Sequence, residues 1–160
     1  MGCLLIVSQR SMSIRAFNLD DFEEIEAIYN LSKLDELRYE SKTFELLPLM
    51  KDEPRLKSLM ESQIFVYEEG RILGYGACHG SEIRALFVHP SSRGFGIGSK
   101  LLGCMLQLVG RPTTLYVAKT NEPAKLLYSR YGFQVTDEFV TSYNGISVFA
   151  NKMVSSVGCG

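Results

Sequence analysis

The stretch LFVHPSSRGFGIGSKLLGCML, residues 86 to 106, sets glycines at alternate positions, Gly94, Gly96 and Gly98, between an apolar strand-like run and a helix-periodic run. Without Cβ atoms, successive backbone N–H groups can turn into one concavity and approach a ligand closely, at the point where a helix offers unpaired donors. Such a turn suits an anion, and Arg93 beside it adds a charge-assisted contact for phosphate. Two common phosphate loops fail by spacing. A P-loop needs Lys directly after its last glycine, where Ser99 stands; a dinucleotide fold needs an acid about 20 residues on, where Ala118 stands. A turn whose glycines serve tight packing alone is the competing reading.

The elements around the loop narrow the fold. SIRAF (13 to 17) reads as a strand, and NLDDFEEIEAIYNLSKL as a helix with Asp20 and Glu23 as a capping box and Phe22, Ile25, Ile28 and Tyr29 on one face. Residues 35 to 62, with Pro48 and Pro54 among leucines, predict broken helices. QIFVYEE, RILGYGACH and EIRALFVH, joined at Glu69-Gly70 and Gly80-Ser81, predict an antiparallel three-strand meander that runs into the glycine loop. Leu101, Leu102, Met105, Leu106 and Val109 then form a helical stripe. A strand TTLYVAKT follows, then a helix NEPAKLLYSRYGF with Pro123 in its first turn and Gly132 as its stop, and a closing hairpin across Asn144-Gly145.

Composition limits the partners. The chain has 160 residues, 46% hydrophobic, with no Pro/Ser-rich linker or charge block, so a single domain over 1–160 is expected. With 17 basic against 18 acidic residues it has no electrostatic reason to bind nucleic acid. Cys3, Cys78, Cys104 and Cys159 match neither metal spacing nor a disulfide framework, which points to a cytoplasmic protein. The apolar run in MGCLLIVSQR is too short for a signal peptide or a membrane span, so no membrane partner is expected, and Ile6 stands where a myristoylation pattern needs Ser or Thr. His79 and His89 pair with no nucleophile or metal set and read as structural; no metal is expected.

VHPSSRGFGIGSKLL resembles the acetyl-coenzyme A signature of the GCN5-related N-acetyltransferase (GNAT) family, here Arg93-Gly94-Phe95-Gly96-Ile97-Gly98 after Val88 and Pro90. KTNEPAKLLYSRYGF is similar to the family's second segment, with Asn121 opening a helix and Tyr128 four residues before Gly132-Phe133. The resemblance covers roughly residues 13 to 153. It implies an α/β (α+β) fold: a mixed, mostly antiparallel sheet of about six to seven strands flanked by about four helices, with a splayed central parallel strand pair. It also implies acetyl-CoA as cosubstrate. Leu86, Phe87 and Val88 would hold the pantetheine arm and thioester by their backbone, and residues 94 to 99, Ser99 included, would cradle the pyrophosphate. Asn121 would be a further cofactor contact or a plain helix cap.

The implied chemistry is direct acetyl transfer to a primary amine. An amine of pKa about 10.4 is roughly one part in a thousand neutral near pH 7.4, a deficit of about 4 kcal/mol, so a base is required. Glu82 matches the base of histone-type relatives, with two fewer residues before the signature Arg; a solvated strand-end Glu is the plain alternative. Glu in TLYVAKT, typical of the branch that acetylates peptide N-termini, is absent. Tyr128 matches the acid that protonates the departing thiolate, and a phenol holds its proton at neutral pH; a core aromatic, as expected for Tyr131, is the alternative. The expected acceptor is a small molecule or peptide amine, shaped by residues 19 to 62 and 136 to 148. Asp20, Asp21, Glu23, Glu24 and Glu26 would favour a cationic one or simply face solvent. Homodimerisation is left open. The rival readings are a noncatalytic CoA-binding regulatory module and a nucleotide-phosphate binder.

Overall fold

The computed structural model describes residues 12–156. The readings made for the N-terminal apolar run, for Gly2-Cys3 and for Cys159 lie outside the described residues. Seven strands form one sheet in the order β1-β2-β3-β4-β5-β7-β6. β1 (Met12–Ala16), β2 (Gln63–Glu69), β3 (Arg71–His79) and β4 (Glu82–Val88) pair antiparallel in succession. β5 (Thr113–Ala118) pairs antiparallel with β7 (Ile146–Ser155), which pairs with β6 (Gln134–Tyr143). The tight turns fall where backbone chemistry demands them. Asn144 and Gly145 sit at φ 48° and 81°, the pair of positive angles that a two-residue hairpin of this hand requires.

Strand alternation divides the core between the two faces of the sheet. On one face, Ile25, Ile28 and Tyr29 of α1 (Phe22–Ser32) and Leu59 of α2 (Glu53–Met60) pack on Ile64, Val66, Tyr75, Ala77 and Phe87. On the other, Leu102, Met105 and Leu106 of α3 (Ile97–Leu106) pack on Cys78, Ile83, Leu115 and Met153, with Leu127 and Tyr128 of α4 (Glu122–Arg130) alongside. Leu101, Leu102 and Met105 are fully buried, so truncating any one to Ala would cost about 2–5 kcal/mol.

The start of α1 differs from expectation. Asn18, not Asp20, is the cap: its side chain accepts from the Asp20 N–H at 3.1 Å, while its own N–H donates to Asp21 at 2.9 Å. The chain enters the helix through a 3-10 turn over Leu19–Asp21, which shifts the capping box back two residues. Asp21 is buried and clamped by Arg15, whose two terminal nitrogens donate at 2.8 and 2.9 Å.

Two irregularities position the site. Cys78 pairs with Ile83 and Ala77 with Ala85, so Arg84 is an extra residue in β4, a bulge. Ile83 keeps to the α3 face and Ala85 and Phe87 to the α1–α2 face; Arg84, opposite Ile83, is turned toward α2, where Nη1 donates to the Ser58 carbonyl at 3.2 Å. The segment between α1 and α2 forms a strap. After a 3-10 turn over Lys33–Leu37 it crosses to the β6–β7 hairpin, where the Leu47 N–H donates to the Tyr143 hydroxyl at 2.8 Å and Asn144 Nδ2 to the Glu45 carbonyl at 3.1 Å.

Candidate functional site: a cleft between splayed strands

The glycine loop has the geometry that its sequence suggested. Gly94 and Gly96 lie at φ 85° and 80°, where L side chains are strained, and a Cβ built on either meets nothing within 4 Å. The space over the loop is therefore open. Gly96 caps α3, whose first intrahelical bond from the loop runs from the Lys100 N–H to the Gly96 carbonyl at 3.1 Å, so the N–H groups of residues 97 to 99 are the helix's free donors. Gly98 differs: its helical φ is ordinary, and a Cβ there would sit 3.7 Å from Val88 and 3.9 Å from Leu127. Both are ordinary van der Waals distances, so a methyl group would fit there between β4 and α4.

β4 and β5 are parallel neighbours joined by one register pair, Glu82 with Thr114, reinforced by the Thr114 N–H donating to the Ser81 carbonyl at 2.8 Å. Past that point they part, and the edge of β4 that faces β5 has no ladder partner. The opening is a cleft of about 940 Å³, lined by Leu86, Phe87 and Val88 on one side and Leu115, Tyr116 and Val117 on the other. Gly94, Gly98, Arg93, Asn121 and Tyr128 complete its wall. Its charged lining holds five cationic side chains, Lys33, Arg38, Arg55, Arg84 and Arg93, against the carboxylates Asp35 and Glu36. A chain of net charge −1 thus presents a locally positive cleft. The open cradle, the free helix donors and Arg93 beside them fit a pyrophosphate-bearing ligand such as acetyl-CoA.

The remaining predicted contacts sort by position. Arg93 lines the cleft but is already ion-paired, Nη1 donating to Asp35 at 2.7 Å. Phe95 is exposed and Ile97 buried against Tyr67 and Leu101, so any contact from Ile97 to a ligand is through its backbone. Ser99 and Tyr131 share a 2.6 Å hydroxyl pair, and the Tyr131 hydroxyl is 3.0 Å from the Ser99 carbonyl. Tyr131 thus packs its half-buried ring against the core, as expected, and its hydroxyl braces α3. Asn121 does both things considered for it: it accepts from the Ala124 N–H at 3.5 Å as helix cap, and it lines the cleft.

Tyr128 stands in the cleft wall with its ring edge-on to Phe133, centroids 6.0 Å apart. Among the described residues its hydroxyl has no hydrogen-bond partner. Desolvation pushes its pKa well above the ordinary phenol value, and the nearby Glu36 charge adds in the same direction. The phenol therefore keeps its proton throughout the neutral range.

Glu82 does not join this group. It lies at the closed end of the strand pair, 3.8 Å from Arg84 Nε, and lines neither the cleft nor the cavity next to it. The carboxylate that faces Tyr128 across the cleft is Glu36, from the 3-10 turn after α1, held by Lys33 Nζ donating at 2.7 Å. Nothing in KLDELRYE marks it, because its placement depends on the strap. The acidic start of α1 is likewise not at the site. Asp21 is spent on Arg15, Glu24 accepts from the Ile72 N–H at 3.0 Å, and none of Asp20, Asp21, Glu23, Glu24 and Glu26 lines either cavity.

The second cavity, of about 610 Å³, adjoins the cleft between α2, the sheet and the β6–β7 turn. Among the described residues no cluster of three His, Cys, Asp or Glu is placed to hold a metal, and no helix is long and apolar enough to cross a membrane.

Known proteins give the architecture its context. Residues 60–135 match the family model of the acetyltransferase (GNAT) domain. The fold is similar to that of a GCN5-related N-acetyltransferase from Rhodopseudomonas palustris, with 18% identity, a TM-score of 0.74, and coverage of 91% of this chain and 95% of that one. It is also similar to YncA of Salmonella typhimurium, solved with its cofactor acetyl-CoA, at 20% identity and a TM-score of 0.69 over 91% and 94% of the two chains. A 62-residue stretch is 40% identical to the human Cysteine-rich protein 2-binding protein, covering 38% of this chain and only 8% of that longer one. The family match contains the glycine loop, the splayed pair and Tyr128, and leaves outside it the residues between 29 and 59 and from 142 to 145 that help wall the second cavity. Residue pattern, strand order and family model agree: this chain is a GNAT-fold domain, carrying the acetyltransferase model over residues 60–135.

Proposed function

We propose that the protein is an acetyl-CoA-dependent N-acetyltransferase that passes the acetyl group directly to a primary amine, without a covalent enzyme intermediate. The observation that carries this reading is the juxtaposition in one cleft of an anion cradle, an unladdered strand edge and an unpartnered, protonated phenol. The cosubstrate supplies an activated acyl carbon, to which the amine nitrogen bonds as the carbon–sulfur bond breaks. The loop N–H groups, with Arg93 beside them, hold its phosphates, and the β4 edge at Leu86, Phe87 and Val88 offers backbone donors and acceptors to its arm.

Two protons must move. Tyr128 gives its proton to the departing sulfur; burial keeps that proton in place until then. The ammonium proton of the acceptor goes to a carboxylate or to water ordered by one. Glu36 is the carboxylate in position, held in the cleft wall by its ion pair with Lys33. Glu82 would need water to relay across the closed end of the strand pair.

A CoA-binding module without turnover is the second reading, and the position of Glu82 outside the cleft is what favours it. Incubation with acetyl-CoA and a panel of primary amines separates the two: thiol release matched by acetylated amine supports the transferase, whereas tight CoA binding with no release supports the module. The amine acceptor is taken to be a small molecule or peptide, handled in the cytoplasm, with no nucleic acid or membrane involved.

A further inference from the structure

We infer that the acceptor is a small amine that carries a carboxylate next to its amino group and an apolar body, with amino acids of apolar side chain as the simplest members. This rests on the transferase reading above and names what its second cavity takes.

The cavity walls supply both halves of that description. Leu47, Leu49, Leu59, Tyr75 and Phe87 are apolar or aromatic and offer the body of the ligand a largely apolar wall. The charged lining is Asp52, Arg55 and Arg84. Asp52 is already engaged, accepting from Arg55 Nε at 3.3 Å. The terminal nitrogens of Arg55 meet no hydrogen-bond partner among the described residues, and Arg55 lines both cavities. Arg84 lines both as well, because the bulge turns it there. Its carboxylate neighbours, Glu61 at 3.6 Å and Glu82 at 3.8 Å, lie beyond good hydrogen-bond distance. Two guanidiniums at one junction offer a planar carboxylate the forked geometry that suits it.

A third group points the same way. Tyr29 is 2% exposed, lines the cavity, and its hydroxyl has no hydrogen-bond partner. A buried hydroxyl left unpaired needs an explanation, and a ligand oxygen provides one. Glu36, on the cleft side, would then face the amino end of the same molecule. The arrangement reads an amine and a carboxylate separately, one on each side of the junction.

The test is a paired comparison. Leucine, methionine and phenylalanine are each set against the amine left when the carboxylate is removed, such as phenylalanine against 2-phenylethylamine. Calorimetry on CoA-loaded protein reads binding, and thiol release with acetyl-CoA reads transfer. At least one amino acid is expected to bind 10-fold or more tighter than its matched amine, with kcat/KM higher by a similar factor. Arg55→Gln and Arg84→Gln should each bring the pair toward parity while CoA affinity holds. If Arg84→Gln fails to fold because the Ser58 contact is lost, Arg55→Gln alone carries the comparison. Equal or weaker binding of every amino acid, or no binding of any, overturns the inference. Preferential binding without turnover supports the cavity assignment and counts against the transferase reading alone.

Discussion

Replacing Tyr128 by Phe removes one oxygen and nothing else from the cleft wall. The ring stays edge-on to Phe133, and no hydrogen bond among the described residues is lost, so stability should change by no more than about 0.5 kcal/mol. The chemical step should respond much more strongly. Donation to a leaving group is worth about 10²- to 10⁴-fold, and a thiolate is a tolerable leaving group, which favours the lower end; 10²-fold corresponds to about 2.7 kcal/mol of barrier. The pH profile adds an independent check. Burial first, and the Glu36 charge second, raise the phenol above its ordinary value, so the acid is lost only when pH rises past that raised value. Wild-type turnover should therefore show no decline attributable to this group as pH passes through about 10, the ordinary phenol value. Stopped-time thiol release at saturating substrates, with a melting curve on the same sample, measures both quantities. A variant that keeps full turnover but loses about 1 kcal/mol of stability would make Tyr128 a packing residue and refute the argument.

Other outcomes follow from the same geometry. Glu36→Gln should lower turnover most near neutral pH and less under alkaline conditions, where the amine is already deprotonated, while Glu82→Gln stays near wild type; pH profiles of the two variants with the reverse ranking would restore the base to β4. Gly96→Val, at φ 80° over an open cradle, should weaken CoA binding at least tenfold by calorimetry with the fold retained, since no protein atom obstructs the new side chain. Asp21→Asn should cost about 1–3 kcal/mol near pH 7 in chemical denaturation. Arg15 holds the Asp21 carboxyl below its usual range, so that stability is present above the unfolded value near 3.9 and disappears as pH falls through the folded one. The gap between wild type and variant should therefore close in acid, and a gap independent of pH would contradict the ion-pair account.

The sequence announced those parts of the fold whose cause is local. The positive φ angles of Gly70, Gly80, Gly94, Gly96, Asn144 and Gly145 are demands of single turns, and the meander, the loop and the closing hairpin followed from them. Tyr128 was singled out because its segment resembles the family's second motif, four residues before Gly132-Phe133, and the structure sets it in the cleft wall. What escaped was set by contacts distant in the chain. Glu36 enters the cleft because a strap is tied to the β6–β7 hairpin more than 90 residues away. Arg93 is drawn to Asp35 across 58 residues, and Arg84 faces α2 because one extra residue in β4 reverses the alternation. Even the α1 cap moved, since Asp21 answers to Arg15 as well as to Asn18. Residue spacing alone carried none of these.

Direct transfer through this cleft is tested most plainly by following the acetyl group itself. The protein is mixed with acetyl-CoA in slight excess and then with amine, and intact mass is read on both protein and amine as free thiol accumulates. The account predicts unmodified protein throughout, with one acetyl group gained by the amine for each thiol released. An acetylated protein that passes its group on, or bound acetyl-CoA that stays intact with every amine offered, would contradict it.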